Sequence, residues 1–354
     1  MVRSEATPSA SVPPPRANPD LLGHQAAEAR LERAFARGRL AHAWLIAGPR
    51  GIGKATLAYR FARHVLAHGI AQVAPAELSL FGAPEKSKGA GEGSLHLDPA
   101  HPVFRRVAGG GHADLFTAEP GIDEKKGARR SEIVVDDVRG VGHFLSLTPA
   151  EGGWRVVVVD SADEMNRNAA NAILKVLEEP PAKALLLLVS HNPGALLPTI
   201  RSRCQRLVLK PLVEADAVRV LGPLLPALSA NEVAELARLA EGSPGRALEL
   251  ADEDGLALQR ELDALLGRLP ELDGVALQRL GDRVGRSGAE ATFRIAAEIL
   301  CRWLARLAIG DPGRWLDTRD RIEGLLGRVE GLNLDRKAAM MDAFFLARVA
   351  ARGR

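Results

Sequence analysis

The 354-residue chain predicts an α/β protein: a parallel-sheet core with helices on both faces, followed by helical segments alone. Three observations predict it. The runs Ala43–Ala47, 156–159 and 185–189 are apolar at every position, as strands are when helices cover both faces of a sheet. Segments of helical period separate these runs, and alternating strand and helix means a parallel sheet. After Pro211 the strand-like pattern stops and only helical periodicity continues.

The length allows two or three domains with a full core. A charged fraction of 26% and an apolar fraction of 46% are those of an ordinary globular chain. A net charge of +3 is mildly basic, compatible with a nucleic-acid neighbourhood without demonstrating one. Cys204 and Cys301 are the only cysteines; they lack metal-ligand spacing, exclude a disulfide scaffold and suit a reducing compartment. No signal peptide opens the chain and no apolar run approaches membrane-spanning length, so a soluble cytoplasmic protein without a membrane partner is expected.

Taken in order, residues 1–19 are Ser, Pro and Ala with few large apolar groups, and Pro13-Pro14-Pro15 opposes helix, so this segment is read as disordered. A core domain spans 20–211. Its first helix follows Leu21-Leu22-Gly23-His24-Gln25, with Ala27, Leu31 and Phe35 recurring every four residues. His42, with no nucleophile near it, is a structural turn residue. Leu57, Phe61 and Val65 mark the helix after the first strand. Residues 82–113, rich in Gly, Lys and His, read as a mobile loop, since His96, His101 and His112 have neither cysteines nor an i,i+4 pairing to make a metal site. A short strand at 114–117 and a charged loop at 123–130 precede a helix with Asp136 as N-cap and Val138, Val141, Phe144 and Leu145 on its face.

Residues 166–179 are helical, with Ala169, Ala172, Ile173, Val176 and Leu177 on one stripe, and Pro180-Pro181 stops them. After the strand at 185–189 come a short helical stretch, Ser202-Arg203-Cys204 and a last strand at 207–209. A small helical lid is placed at 212–255, with Val233, Leu236 and Leu239 on its face. A larger helical domain follows at 256–354, and its clearest stripe is Phe293, Ala296, Leu300, Leu304 and Leu307. The last helix carries Met340, Met341, Phe344, Phe345 and Val349, more than one stripe buries. Its outer face is therefore expected to meet a partner.

The densest chemical signal is the stretch from Ala43 to Thr56. An apolar strand runs into the glycine-rich turn 48–53, and Lys54 opens an amphipathic helix. Strand, loop and helix in this order form a phosphate-binding loop: backbone N–H groups turn inward on an anion, and the helix end and the lysine add positive charge. Gly48, Gly51, Gly53, Lys54 and Thr56 are its candidate nucleotide-facing residues. Asp160, at the carboxyl end of the strand at 156–159, stands where a nucleotide enzyme holds Mg²⁺. The residue after the lysine is Ala55 rather than a hydroxyl, and Thr56 lies about 100° further round the helix.

The phosphate loop, Val156 to Asp160, the run Asn168-Ala-Ala-Asn-Ala-Ile-Leu-Lys-Val-Leu-Glu-Glu-Pro-Pro181 and Ser202-Arg203-Cys204 together resemble the bacterial clamp-loader subunits of the DNA polymerase III holoenzyme, which are AAA+ proteins. The match is strong over about residues 21–250 and continues through 332–337. The Leu-Glu-Glu-Pro-Pro helix end followed by Ser-Arg-Cys is specific to that family; the phosphate loop alone is not. The resemblance implies an AAA+ core, a small lid and a helical collar that holds a ring of subunits, which opens a sliding clamp and places it on primed DNA. It implies motor and clamp-opening subunits as partners, with the clamp and primer-template DNA reached through the complex. It also implies that Arg203 acts in trans as an arginine finger on a neighbour's ATP. By chain order Arg203 follows one buried strand and precedes another, so a rigid sheet is expected to fix its position.

Three departures from the family pattern point to a subunit that does not hydrolyse ATP. Ser161 stands where an active AAA+ ATPase has the water-positioning glutamate; Asp163 and Glu164 are near in sequence, but the strand-to-loop turn points them elsewhere. The hydroxyl after Lys54 is missing. The lid arginine that touches the γ-phosphate has only a displaced candidate, Arg246, preceded by Gly245 at the expected place. No cofactor is required on this reading, with weak ATP or ADP binding at a degenerate site left open. Zinc is not expected, because the cysteines that bind it in some relatives are absent. Two rivals stand beside this reading. One is a self-sufficient AAA+ motor subunit, favoured by Lys54 and Asp160. The other is a DNA-binding module, disfavoured by scattered basic residues and the lack of an aromatic-basic platform.

Overall fold

The computed structural model describes residues 12–69, 95–123, 128–130, 132–252, 255–332 and 334–353. The chain divides into two compact units, Met1–Gly245 and Arg246–Arg354. The division falls inside the stretch that the sequence assigns to a lid.

The first unit is built on a parallel sheet of five strands, β1 (Ala43–Ala47), β2 (Leu115–Ala118), β5 (Arg155–Val159), β6 (Ala184–Ser190) and β7 (Gln205–Val208), in the order β2-β5-β6-β1-β7. The three inner strands are buried at every residue, which accounts for their unbroken apolar runs. Alternate side chains serve opposite faces. Leu45, Val157, Val159, Leu186 and Leu188 pack against α4 (Val135–Ser146), α5 (Arg167–Glu178) and α6 (Pro198–Arg203). The other face carries α2 (Lys54–His68), with α1 (Gln25–Ala36) and α3 (Pro102–Ala108) packed on it. β3 (Ile122–Asp123) and β4 (Ala128–Arg129) form a small antiparallel ribbon. Helices α7 (Glu214–Leu224) and α8 (Ala230–Leu239) follow the sheet, and Ser229 caps α8 reciprocally with Glu232.

Three sequence expectations are corrected here. Residues 12–19 are ordered rather than disordered, with a 3-10 turn at Pro15–Ala17. The cause lies in α2, whose Arg60 and Arg63 are only 3% and 1% exposed and need acceptors. Arg63 donates to the carbonyls of Arg16 (2.9 Å) and Asn18 (2.8 Å), and Arg60 donates to that of Pro19 while pairing with buried Glu28. Residues 1–11 lie outside the described residues. In the stretch read as a loop, 82–94 is likewise outside, but 95–113 carries α3, started by Pro102 and by the His101 ring, which accepts from the Val103 amide at 3.2 Å. Asp136 is not a helix cap. Val134 is the N-cap, and Asp137 takes its amide at 2.8 Å and pairs with Arg130 at 2.7 Å.

The second unit is helical, with α10 (Gly255–Leu266), α11 (Gly274–Gly285), α12 (Glu290–Gly310), α13 (Pro312–Leu332) and α14 (Arg336–Ala351); α9 (Pro244–Asp252) begins at the division. Leu300 and Leu304 of α12, Ile322 of α13 and Phe344 of α14 are fully buried, and Trp303 meets Trp315 edge-on at 5.5 Å. On α14 the apolar residues split as their excess suggested. Met340 and Phe344 are buried, whereas Phe345 and Val349 are 44% and 53% exposed. No helix among the described residues is long and apolar enough to cross a membrane.

Candidate functional site

The candidate site forms at the carboxyl ends of the inner strands, where open parallel sheets present their loops. β1 ends at Ala47, and the loop 48–53 turns through left-handed conformations at Gly51 (φ 75°) and Gly53 (φ 96°). Gly48 is fixed by crowding: a Cβ there would lie 2.5 Å from the Leu209 carbonyl oxygen. Lys54 opens α2, is 3% exposed, and its ammonium donates to the Pro49 carbonyl across the loop. Burial pulls its pKa down to about 8, opposed by the nearby carboxylates of Asp163 and Asp160 and reinforced by Arg50. The structure therefore brings Gly48, Gly51, Gly53, Lys54 and Asp160 into one site. Ala55 holds the position where the hydroxyl is missing, and Thr56, a step of about 100° further round α2, is buried within the helix.

The neighbouring strand ends hold what the sequence did not disclose. Ser161, directly after Asp160, adopts a left-handed conformation (φ 65°) that is uncommon for a residue with a Cβ. Its Oγ lies 3.2 Å from Nε2 of His191, the first residue after β6. Asp163 accepts the amides of His191 (2.9 Å) and Asn192 (3.0 Å), which fixes the strand exit. Burial, reinforced by the charge of Lys54, depresses the His191 pKa to about 4, with Asp163 opposing. The imidazole is thus neutral at pH 7. Ser161 and His191 bond to each other, and the turn keeps Asp163 beside Lys54 and His191 rather than pointing it elsewhere, as the sequence had suggested. Sequence reading passed over His191. Its signal was its place immediately after a buried strand that borders β1.

Arg203 stands apart from this group. It ends α6 rather than linking two strands directly, its side chain is 37% exposed, and its contacts are Glu178 (3.0 Å) and the Thr199 carbonyl (3.1 Å), both outside the phosphate loop. Arg246 is 7% exposed and pairs with Glu298 of α12 at 3.4 Å. Among the described residues no group of three or more His, Cys, Asp or Glu is placed to hold a metal ion.

Residues 95–213 match the family model described as DNA polymerase III, delta subunit. The DNA polymerase III subunit delta' of Pseudomonas aeruginosa is 37% identical over 208 residues, covering 59% of this chain and 55% of that one. The Escherichia coli delta' subunit is 32% identical over 249 residues, covering 70% and 66%, whereas the tau subunit of the same organism is 29% identical over 38% of its length. The chain belongs to the delta-prime family of DNA polymerase III subunits. The matched stretch spans a little over half of the Pseudomonas delta-prime subunit and 66% of the E. coli one. A gamma subunit-related protein from Thermotoga maritima aligns over 91% of this chain at 18% identity, with a TM-score of 0.36.

Proposed function

We propose that this delta-prime chain is a non-motor clamp-loader subunit that helps place the sliding clamp on primed DNA and completes the ATPase site of a neighbouring motor subunit. The observation that carries the reading is the Ser161–His191 hydrogen bond. A water attacking a γ-phosphate needs a group that orients it and draws off its proton. Here the residue after the Mg²⁺-type aspartate is a hydroxyl already joined to a neutral imidazole. Ala55 removes a second Mg²⁺-side group, and Arg246 is engaged with Glu298. ATP or ADP would be held weakly, by the loop amides and Lys54, without turnover.

Arg203 supplies the outward half of the proposal. A guanidinium is planar and permanently charged, so it can stabilise charge on a γ-phosphate during transfer. Its ion pair with Glu178 is half-exposed, a class worth roughly 0.2–1 kcal/mol, so release toward a neighbour's phosphate is inexpensive. The exposed Phe345 and Val349 would face partner subunits in the collar.

The test is reconstitution with the motor and clamp-opening subunits, reading DNA-stimulated ATP turnover and clamp loading. Wild-type chain should support both, and the chain alone should show no turnover above its Lys54→Ala variant. The second reading, an active motor subunit, is favoured by the retained Lys54 and Asp160. Turnover by the isolated chain that Lys54→Ala abolishes would establish it instead.

A further inference from the structure

His64 and His68 have the i,i+4 spacing that His96, His101 and His112 lack. Both lie on α2, one turn apart on one face, the arrangement in which two imidazoles share a metal ion. The structure brings the rings to 4.5 Å between centroids, with planes 33° apart. Each ring is held. Nδ1 of His68 lies 2.9 Å from the His64 carbonyl oxygen, and a carbonyl only accepts, so Nδ1 carries the proton and Nε2 keeps its lone pair. On His64 the buried nitrogen is Nδ1, which again makes Nε2 the nitrogen to offer, and Phe35 of α1 meets that ring edge-on at 5.4 Å.

The surroundings suit a cation. His68 is exposed and His64 half-buried, so a hydrated ion can reach the pair. His68 is the last residue of α2, where the negative end of the helix dipole lies. A backbone carbonyl behind Nδ1 is also the usual outer partner of a ligating histidine: it fixes the tautomer and makes Nε2 a stronger ligand. Neutral nitrogen ligands select Zn²⁺, Ni²⁺ and Cu²⁺ over Mg²⁺ and Ca²⁺, which take oxygen. The lack of paired cysteines removes the thiolate type of zinc site and leaves this imidazole type untouched. His64 and His68 stand about 15 and 21 Å along the helix from Lys54, well away from the phosphate loop.

We propose that His64 and His68 form a two-imidazole site for a divalent ion of the Zn²⁺, Ni²⁺ and Cu²⁺ class, and that the bound ion clamps the last turn of α2. Two positions of the ion are filled by the protein and the others by water, so the site is open and exchanges its metal. It is independent of the function proposed above.

Titration of the full chain, stripped of metal and of any histidine-bearing handle, tests the site with Zn²⁺ alone and with Cu²⁺ alone. His64→Ala and His68→Ala should each weaken Zn²⁺ binding by more than about tenfold, since even a lost outer partner of a ligating histidine costs roughly 10–100-fold. His143→Ala, which removes an exposed histidine of α4, should leave it unchanged. Cu²⁺ should bind more tightly than Zn²⁺, and its paramagnetic resonance spectrum should count two imidazole nitrogens in the wild type and one in either variant. Backbone amides of 65–69 should exchange more slowly with Zn²⁺ than without it, an effect that His68→Ala abolishes. His68 is exposed, so its variant decides if His64→Ala does not fold. Four results would overturn the proposal: wild-type Zn²⁺ affinity in His68→Ala, a two-nitrogen Cu²⁺ spectrum that survives in it, an equal loss in His143→Ala, or wild-type exchange at 65–69 that Zn²⁺ does not slow.

Discussion

Two cations of this chain sit in opposite surroundings. Lys54 is 3% exposed, lies among Asp160, Asp163 and Arg50, and closes a loop whose carbonyls accept from His24, Ser243 and the Gly245 amide. Arg203 is 37% exposed at the end of a six-residue helix, with one carboxylate and one carbonyl to hold it. The first is built to stay where it is, the second to be reached. On the function proposed above, the difference teaches that a phosphate-binding scaffold and the means of hydrolysis can part within one sheet. The loop keeps its shape, Ser161 and His191 bond to each other at the neighbouring strand ends, and Arg203 makes its contacts with Glu178 and Thr199, outside the loop.

Arg203→Ala puts most strain on that contrast. Stability should change by less than about 0.5 kcal/mol, while phosphoryl transfer at the one neighbouring site of the assembled complex should fall by roughly 10³-fold or more, the scale of arginine fingers elsewhere. Total turnover would fall only in part, and Arg203→Lys should not rescue it. Single-site turnover together with thermal melts checks both halves; normal clamp loading by the variant would end the assignment.

The buried end should respond in the opposite way. Glu28 pairs with Arg60 at side-chain exposures of 2% and 4%. Glu28→Ala strands a buried guanidinium on the helix that Lys54 opens, and should lower unfolding free energy by about 3–5 kcal/mol in denaturant melts. A loss below 1 kcal/mol would show that this helix is not anchored there.

A smaller effect follows from His191. Its folded pKa of about 4 lies below the ordinary histidine value of 6.5, so between those limits the unfolded chain binds more protons than the folded one. Stability should therefore fall as pH drops from about 6.5 toward 4, and His191→Gln should flatten that slope. The slope of melting temperature against pH measures it, and an unchanged slope in the variant would remove His191 from the buried group. The mildest prediction concerns α14. Phe345→Ser with Val349→Ser should leave stability within about 0.5 kcal/mol and weaken assembly in gel filtration with the partner subunits; unimpaired assembly would remove this face from the collar contacts.

Much of this was legible in the sequence, because its signals are local. β1, β5 and β6 announce themselves as unbroken apolar runs, and the loop at 48–53 by glycines at fixed offsets before Lys54. What stayed hidden depends on partners far apart in the chain. His24 and Ser243 donate to backbone carbonyls, and every residue offers a carbonyl, so no side-chain pattern marks the acceptor. The order in residues 12–19 was masked in the same way: a Pro-rich stretch reads as disordered until two buried guanidiniums are found to need its carbonyls. α3 is seven residues long, too short to show a helical period beside so many glycines.

That last attachment sets a limit on how the polypeptide can be trimmed. A product that starts after Pro19 would lose the acceptors at Arg16, Asn18 and Pro19 together, leaving donor groups of Arg60 and Arg63 stranded in the interior. At about 1–3 kcal/mol for each unsatisfied buried group, the loss approaches the whole stability margin of a typical domain. An affinity handle is therefore best attached ahead of residue 12, and a protease that removes it should not cut beyond that point.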